Sequence, residues 1–366
     1  MSRTFDRSAP MTIAERDSGL RIVSLGGGTG LSSLLSGLKT YVGNQPPSDE
    51  EASAPWVESL TAVVTVTDDG GSSGRLRDEF QILPPGDIRN CMVALAEDEH
   101  LLTRLFQYRF ESEGDLSGHS FGNLFLAALA GVTGDFLEAI RVSGEVLKIR
   151  GKILPSTVED VSLVAELEDG KTLEGETRIV ESRARIKKLR LSREHCRPLP
   201  ETLEAISRAD IITIGPGSLY TSIIPSLLVD DIVEAIQGSH ATKVYICNIM
   251  TQPGETEGFS LEDHLRALGE HSGGLEFDCV LVNSALISKE LRARYLADGS
   301  VQVGLDEPAA RRVSESAGSS GNAGIVARDL LHESGVVRHD PGKLANALLE
   351  IYSSEKLSSV ERLIGR

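Results

Sequence analysis

The chain of 366 residues is 40% hydrophobic and 25% charged, ordinary globular usage with enough length for a large core in one or two domains. Its formal net charge of −17 argues against nucleic-acid binding, which needs clustered positive charge to displace counterions. Four cysteines without Cys-x-x-Cys spacing argue against a thiolate metal site, and no stretch reaches the roughly 20 apolar residues of a membrane helix or resembles a signal peptide. A cytoplasmic protein with no membrane span is therefore expected.

Residues 1–19 are polar and aperiodic and read as a disordered arm. Arg21–Leu25 reads as a strand running into Gly26-Gly-Gly-Thr-Gly30, and Leu31, Leu34, Leu35 and Leu38 then recur at helical spacing. Glycines between a strand and a helix let the backbone approach a phosphate, while the helix N-terminus offers free N–H groups. Gly27, Gly28, Thr29 and Gly30 are thus ligand-binding candidates. The loop is neither a P-loop, since no Lys-Ser/Thr follows, nor a full dinucleotide fingerprint, since Leu31 stands at the third glycine position. A ligand-free turn is the plainer alternative. Gly43–Pro55 is a breaker-rich loop.

Leu60–Val66 reads as the second strand, followed by Asp68, Asp69, a glycine-serine loop, Arg75, and then Asp87 and Arg89 in Pro-Pro-Gly-Asp-Ile-Arg. Acids at a strand end can bind ribose hydroxyls, hold Mg²⁺ near a diphosphate, act as a base, or simply cap a turn. The arginines can clamp an anion or pair with those acids. Helices are expected over 87–96, 100–110, 124–130 and 134–148, the last capped by Asp135. Ser117–Asn123 precedes the third of these. Its Asn123 suits a polar ligand, and His119 is either part of that site or a hydrogen-bonded core residue.

From residue 150 to 192 the period becomes alternating, which predicts a small β-rich insertion with strands at 161–167, 171–174 and 185–191. The basic stretch within it, Arg183–Arg193, fits a solvated strand better than a nucleic-acid groove. A helix over Pro200–Arg208 and a strand over Asp210–Ile214 lead into a second glycine loop, Gly215-Pro-Gly-Ser218. Gly217 and Ser218 are candidates there. Asn248, Thr251 and Gln252 follow the next strand (243–247), and Asn283 the one after (278–282). Amides at such strand ends can read a nucleobase or act as caps. Helices are expected at 260–271, 288–295 and 341–352.

The alternation predicts an α/β fold, a Rossmann-like doubly wound, mostly parallel sheet with the β-rich insertion. Its parts are a nucleotide-binding half (20–149), the insertion (150–192), a second α/β half of the same domain (193–306), a flexible segment (307–334) and a C-terminal helical segment (335–366). No nucleophile elbow, Ser-His-Asp order or His-rich metal spacing stands out, so binding is better supported than reaction.

Taken together, Gly26-Gly-Gly-Thr-Gly30, Asp68-Asp-Gly-Gly-Ser-Ser-Gly-Arg75, Pro84-Pro-Gly-Asp-Ile-Arg-Asn90, Gly118-His-Ser-Phe-Gly-Asn123, Gly215-Pro-Gly-Ser-Leu-Tyr-Thr-Ser222 and Asn248-Ile-Met-Thr-Gln252 resemble the YvcK-type gluconeogenesis factors, within the superfamily of 2-phospho-L-lactate transferases (CofD). The resemblance spans about Arg21–Asp306 and Val337–Leu349. It implies a cytoplasmic Rossmann-like protein that binds a UDP-sugar such as UDP-N-acetylglucosamine and serves cell shape and envelope synthesis on gluconeogenic carbon. Envelope-synthesis proteins are the implied partners, and a homo-oligomer is compatible. By resemblance, Tyr295 and Arg338 contact the UDP-sugar. In the transferase branch, the positions of Asp69 and Asp87 serve a metal-assisted transfer of phospholactate onto a deazaflavin precursor, with Mg²⁺ the cofactor. The loops Gly43–Pro55 and Glu307–Gly324 depart from the family. The Asp-Asp-Gly-Gly-Ser-Ser-Gly-Arg form lies closer to the morphogenesis branch, which weakens the transferase reading.

Overall fold

A computed structural model describes residues 19–43, 56–97, 100–111, 113–304 and 324–364. Seven strands form one parallel sheet: β1 (Leu20–Gly26), β2 (Val57–Val64), β3 (Lys152–Pro155), β7 (Ile211–Ile214), β8 (Thr242–Ile246), β9 (Cys279–Asn283) and β10 (Gly324–Arg328). Their spatial order is β10-β9-β8-β7-β1-β2-β3, and every neighbouring pair is parallel. The chain grows outward from β1 in one direction and from β7 in the other. The β1/β7 boundary is therefore the topological switch point, where a crevice opens at the carboxyl ends of the strands.

The strands are short apolar runs because helices cover both faces. The helices of the first half are α1 (Gly28–Leu38), α2 (Gly71–Phe80), α3 (Gly86–Leu95), α4 (His100–Gln107), α5 (Phe121–Thr133) and α6 (Phe136–Val146). Leu31, Leu34, Leu35 and Leu38 of α1 are fully buried, the i, i+3, i+4, i+7 stripe that the sequence displays. The expected cap of α6 is present, with Asp135 Oδ1 accepting from Leu137 N at 3.0 Å. Helix α2 departs from expectation. The glycine-serine run reads as a loop, yet Gly71 already opens a helix and Ser72, Ser73 and Gly74 are buried in it. Gly74 lies against the acid loop that leads into the helix: a Cβ there would meet the Asp69 carbonyl oxygen at 2.0 Å. Low helix propensity is overridden here by close packing.

The insertion is a three-stranded antiparallel sheet of β4 (Leu163–Leu167), β5 (Thr172–Glu174) and β6 (Ile186–Leu191), in the order β5-β4-β6, plus helix α7 (Glu176–Ser182). Its strands fall where the alternation puts them. Two details differ from expectation. Residues 152–155 belong to the main sheet as β3, and the α7 stretch, too short for a clear period, is helical. The insertion is pinned to the acid loop. Asp69 Oδ1 accepts from Thr177 N (2.9 Å) and Thr177 Oγ1 (2.7 Å), and the Arg77 guanidinium bonds Asp160 and the Val161 carbonyl.

The second half carries α8 (Pro200–Arg208), a π-turn at Leu219–Ile223, α9 (Ile224–Leu227), α10 (Ile232–Gly238), α11 (Leu261–Ser272) and α12 (Lys289–Ala297). Residues 1–18, most of the Gly43–Pro55 loop and 305–323 lie outside the described residues. The expectation of a flexible segment to 334 is corrected at its end. Residues 324–328 are the edge strand β10, and β11 (Leu331–Glu333) pairs antiparallel with β12 (Val337–His339). Three-residue strands after a Ser-Gly-rich run give little periodicity to read. The last helix, α13 (Pro341–Ile364), packs on α1, so Leu344, Ala345 and Leu348 join the same core.

Candidate functional site

A cavity of about 430 Å³ lies at the ends of β1, β7 and β8, at the switch point. Of the sequence-predicted ligand residues, Gly27, Gly28, Thr29, Gly30, Gly217, Ser218, Asn248, Thr251, Tyr295 and Arg338 line it. Asp68, Asp69, Asp87, Arg75, Asn123 and Asn283 do not.

The two glycine loops touch. A Cβ on Gly30 would sit 2.6 Å from the Pro216 carbonyl oxygen and 2.8 Å from Gly217 N, so only glycine lets the loops close on each other. The first loop opens α1 without a side-chain cap, leaving first-turn N–H groups at Thr29 and Gly30 for an anion. The Gly28 N–H is already taken by the Asp87 carboxylate.

The second loop is spoken for differently. Asn248 Oδ1 accepts from Gly217 N (3.2 Å), its Nδ2 donates to Gly217 O (2.6 Å), and Gln252 Nε2 donates to Ser218 Oγ (2.7 Å). Thr251 Oγ1 accepts from Val301 N at 2.9 Å. These side chains line the cavity and use these polar atoms to shape it, the capping role that the sequence leaves open beside base reading. The turn that follows Ser218 directs its N–H groups at Glu255. That carboxylate accepts from Tyr220 N (3.2 Å) and Thr221 Oγ1 (3.3 Å), and burial pushes it up to about 7 against those hydrogen bonds. Sequence reasoning missed Glu255, although it stands three residues beyond Gln252.

The far wall comes from the C-terminal hairpin. Tyr295 Oη accepts from Val337 N at 2.9 Å, and Tyr295, Leu331 and Val337 pack on a small buried cluster of Ile249, Met250 and Ile287. This seats β12 over the crevice and brings Arg338 into the wall. Arg338 is the one cation among the described lining residues, and its guanidinium has no hydrogen bond or ion pair within the described residues. Asp298 and His339 also line the cavity and were not anticipated. Tyr295→Phe removes the acceptor of a backbone N–H and is expected to cost about 1 kcal/mol of stability with weaker seating of the hairpin, visible as faster amide exchange at Val337.

The acids form a second constellation behind the first loop. Asp68 Oδ1 accepts from Gly70 N (2.9 Å), a local turn. Asp87 is pushed up to about 6 chiefly by burial, then by Asp68, against hydrogen bonds from Gly28 and Asn90. Burial, then Asp68 and Asp87, push Glu176 well above the usual carboxylate range. Asn123 Nδ2 donates to Ser72 Oγ (3.1 Å), which lies 3.0 Å from His119 Nδ1, so Asn123 and His119 are buried network residues. Burial, then Arg75, lower the His119 pKa. The Arg75 guanidinium donates to the Ser117 carbonyl (2.7 Å). Asn283 bonds Ala285 O (2.7 Å) and Leu330 N (3.1 Å), the role of a structural clamp. Nor do Asp69 and Asp87 fit a shared Mg²⁺ site: one turns to Thr177, the other to Gly28, and among the described residues no three His, Cys, Asp or Glu converge to hold a metal. No helix among the described residues is long and apolar enough to cross a membrane.

Comparison with known proteins accords with these motifs. The family model described as 2-phospho-L-lactate transferase CofD matches residues 22–319. A putative gluconeogenesis factor of Nostoc sp. is 49% identical over 91% of this chain and 69% of its own. The gluconeogenesis factor of Bacillus subtilis is 46% identical over 90% of this chain and 98% of its own. The crystal structure of a UPF0052-family protein from Bacillus halodurans superposes with a TM-score of 0.80 at 46% identity, covering 90% of this chain and 98% of that one. The chain belongs to the CofD family, in the company of relatives named gluconeogenesis factor.

Proposed function

We propose that this chain is a cytoplasmic UDP-sugar-binding regulatory factor, with UDP-N-acetylglucosamine the type of ligand, acting in cell shape and envelope synthesis during gluconeogenic growth. One observation carries the reading. In a chain of net charge −17, Arg338, a cation without a hydrogen bond or ion pair among the described residues, lines the same switch-point cavity as the uncapped N-terminus of α1. That pairing suits a diphosphate, since the arginine clamps phosphate oxygens while first-turn N–H groups receive them. The names of the relatives, gluconeogenesis factors, support the growth context. Titration calorimetry with UDP-N-acetylglucosamine is expected to give saturable heat. A folded protein with no heat at millimolar ligand would remove the proposal.

The second reading is a phospholactate-type transferase acting on a deazaflavin precursor. It is favoured by the family model over residues 22–319 and by the buried carboxyl of Asp87 against the first glycine loop. A turnover assay with the deazaflavin acceptor decides between them. Transfer that Asp87→Asn abolishes while UDP-sugar binding survives would favour the enzyme.

A further inference from the structure

Three arginines gather at a place that shares no residue with the switch-point cavity: Arg75 on α2, Arg89 on α3 and Arg109 just past α4. Arg75 Nη2 donates to the Ser117 carbonyl (2.7 Å) and Arg109 Nη1 to the Gly118 carbonyl (2.6 Å), so two exposed guanidiniums are anchored on neighbouring peptide groups. Arg89 lies beneath, buried, with a hydrogen bond to its neighbour Asn90 (2.6 Å). Burial, then Arg109, lower the Arg89 pKa; burial, then Arg75 and Arg109, lower that of His119, so the three charges act on one region.

Gathered like charges repel, and a chain of net charge −17 holds many carboxylates that could neutralise them. Yet among the described residues none of the three arginines forms an ion pair. The acids within electrostatic reach are Glu79, which acts on His119, and Asp87 and Asp68, which act on Arg89. Asp68 turns to Gly70 N and Asp87 to Gly28. A guanidinium carries five N–H donors, and the carbonyl bonds of Arg75 and Arg109 take only one or two of each set. The ground under them is braced. Arg109 bridges antiparallel to Ser120, Phe110 N donates to His119 O (2.9 Å), and Gly118 N donates to Phe110 O (2.9 Å). Gly118 has φ +74°, and a Cβ there would lie 3.4 Å from Arg75 Nη2.

We infer that Arg75 and Arg109 form a second anion site, separate from the switch-point cavity, that takes a phosphate dianion, the group that ends a phosphomonoester. Two guanidinium forks side by side match a tetrahedral group with several oxygens, whereas a carboxylate would neutralise only one of the charges. Arg89 adds field from beneath rather than contact. The inference does not rest on the UDP-sugar reading, because the two sites share no residue.

Amide NMR of the full chain, titrated with inorganic phosphate, tests it. Saturable shifts are expected at Ser117, Gly118 and His119, and they should persist in Arg338→Ala, which separates this site from the cavity. An Arg75→Ala, Arg109→Ala double variant should bind about tenfold more weakly or worse, with part of the loss recovered by Arg75→Lys, Arg109→Lys. Dimethyl phosphate, a monoanion, should bind about tenfold more weakly than phosphate. Methyl phosphate that binds as well as phosphate identifies an ester as the natural ligand; methyl phosphate that binds less well identifies the free ion. A wild type without saturable shifts at residues 117–119 at millimolar phosphate overturns the inference, and this arm needs no variant. So does a response confined to Thr29 and Gly30 that Arg338→Ala abolishes, which would put phosphate in the cavity alone.

Discussion

Raising the pH from about 5 to about 8 is expected to lower the melting temperature of the unliganded protein by about 5 °C relative to a variant that lacks two buried acids. Asp87 and Glu255 carry the effect. Each has a folded-state pKa above its unfolded value, at about 6 for Asp87 and about 7 for Glu255, because burial penalises the charged form. The folded state therefore holds these protons more tightly than the unfolded chain. Their contribution is complete below the unfolded carboxylate range and disappears as pH rises through 6 and 7. At about 1.4 kcal/mol per unit, the loss above pH 5 is about 1 kcal/mol for Asp87 and about 3 kcal/mol for Glu255. Glu176 is shifted the same way. Carboxylates shifted downward, such as Asp263 and Asp329, act at lower pH, while the buried histidines His119, His264 and His339, whose protonation burial lowers, gain stability as pH rises and oppose the carboxylates in this window. Thermal melts of wild type and of the Asp87→Asn, Glu255→Gln double variant therefore test the assignment by difference. The wild type should lose stability relative to the variant as pH rises. A wild type and variant with parallel pH profiles would refute it.

Arg338→Ala is expected to weaken UDP-sugar binding by about 30- to 100-fold, the scale of a charge-assisted, two-pronged phosphate contact. The side chain lies in the cavity wall and makes no internal ion pair among the described residues, so stability should barely change. Arg338→Lys should recover only part of the loss, since an ammonium keeps the charge without the fork. The measurement is affinity at low and high salt. Wild-type binding should weaken with salt, and the Arg338→Ala variant should respond less. An Arg338→Ala protein that binds like wild type would displace the diphosphate from this wall.

Five of the seven strands, β1, β2, β7, β8 and β9, were legible because each is a short apolar run with glycine, acid or amide soon after it, whereas β3 and β10 lay in stretches read as insertion and flexible segment. The position of the cavity followed from the same pattern, since both glycine loops end strands that turned out to be neighbours. What each polar group does there was not legible. Asn248 and Asn283 stand where ligand-reading amides would stand, and only their geometry shows them bound to Gly217 and Leu330. Asp69 reads as a catalytic acid, yet it caps the insertion helix through Thr177. That partner is 108 residues away in sequence, and no local pattern announces it. His339 escaped notice for a related reason: a three-residue strand shows no alternation, and only the contact with Cys247 reveals an inward ring.

The hairpin that carries Arg338 follows residues 305–323 in the chain, touches α1, and lines the same cavity as the first glycine loop. A ligand held between Gly30 and Arg338 thus acts as a noncovalent staple between the two ends of the fold. Its binding energy is added to whatever keeps β11 and β12 from peeling away. Saturating ligand should slow amide exchange at Val337 and His339 while leaving the insertion strands β4 and β5 unchanged, and proteases that attack the C-terminal end would then report on nucleotide supply.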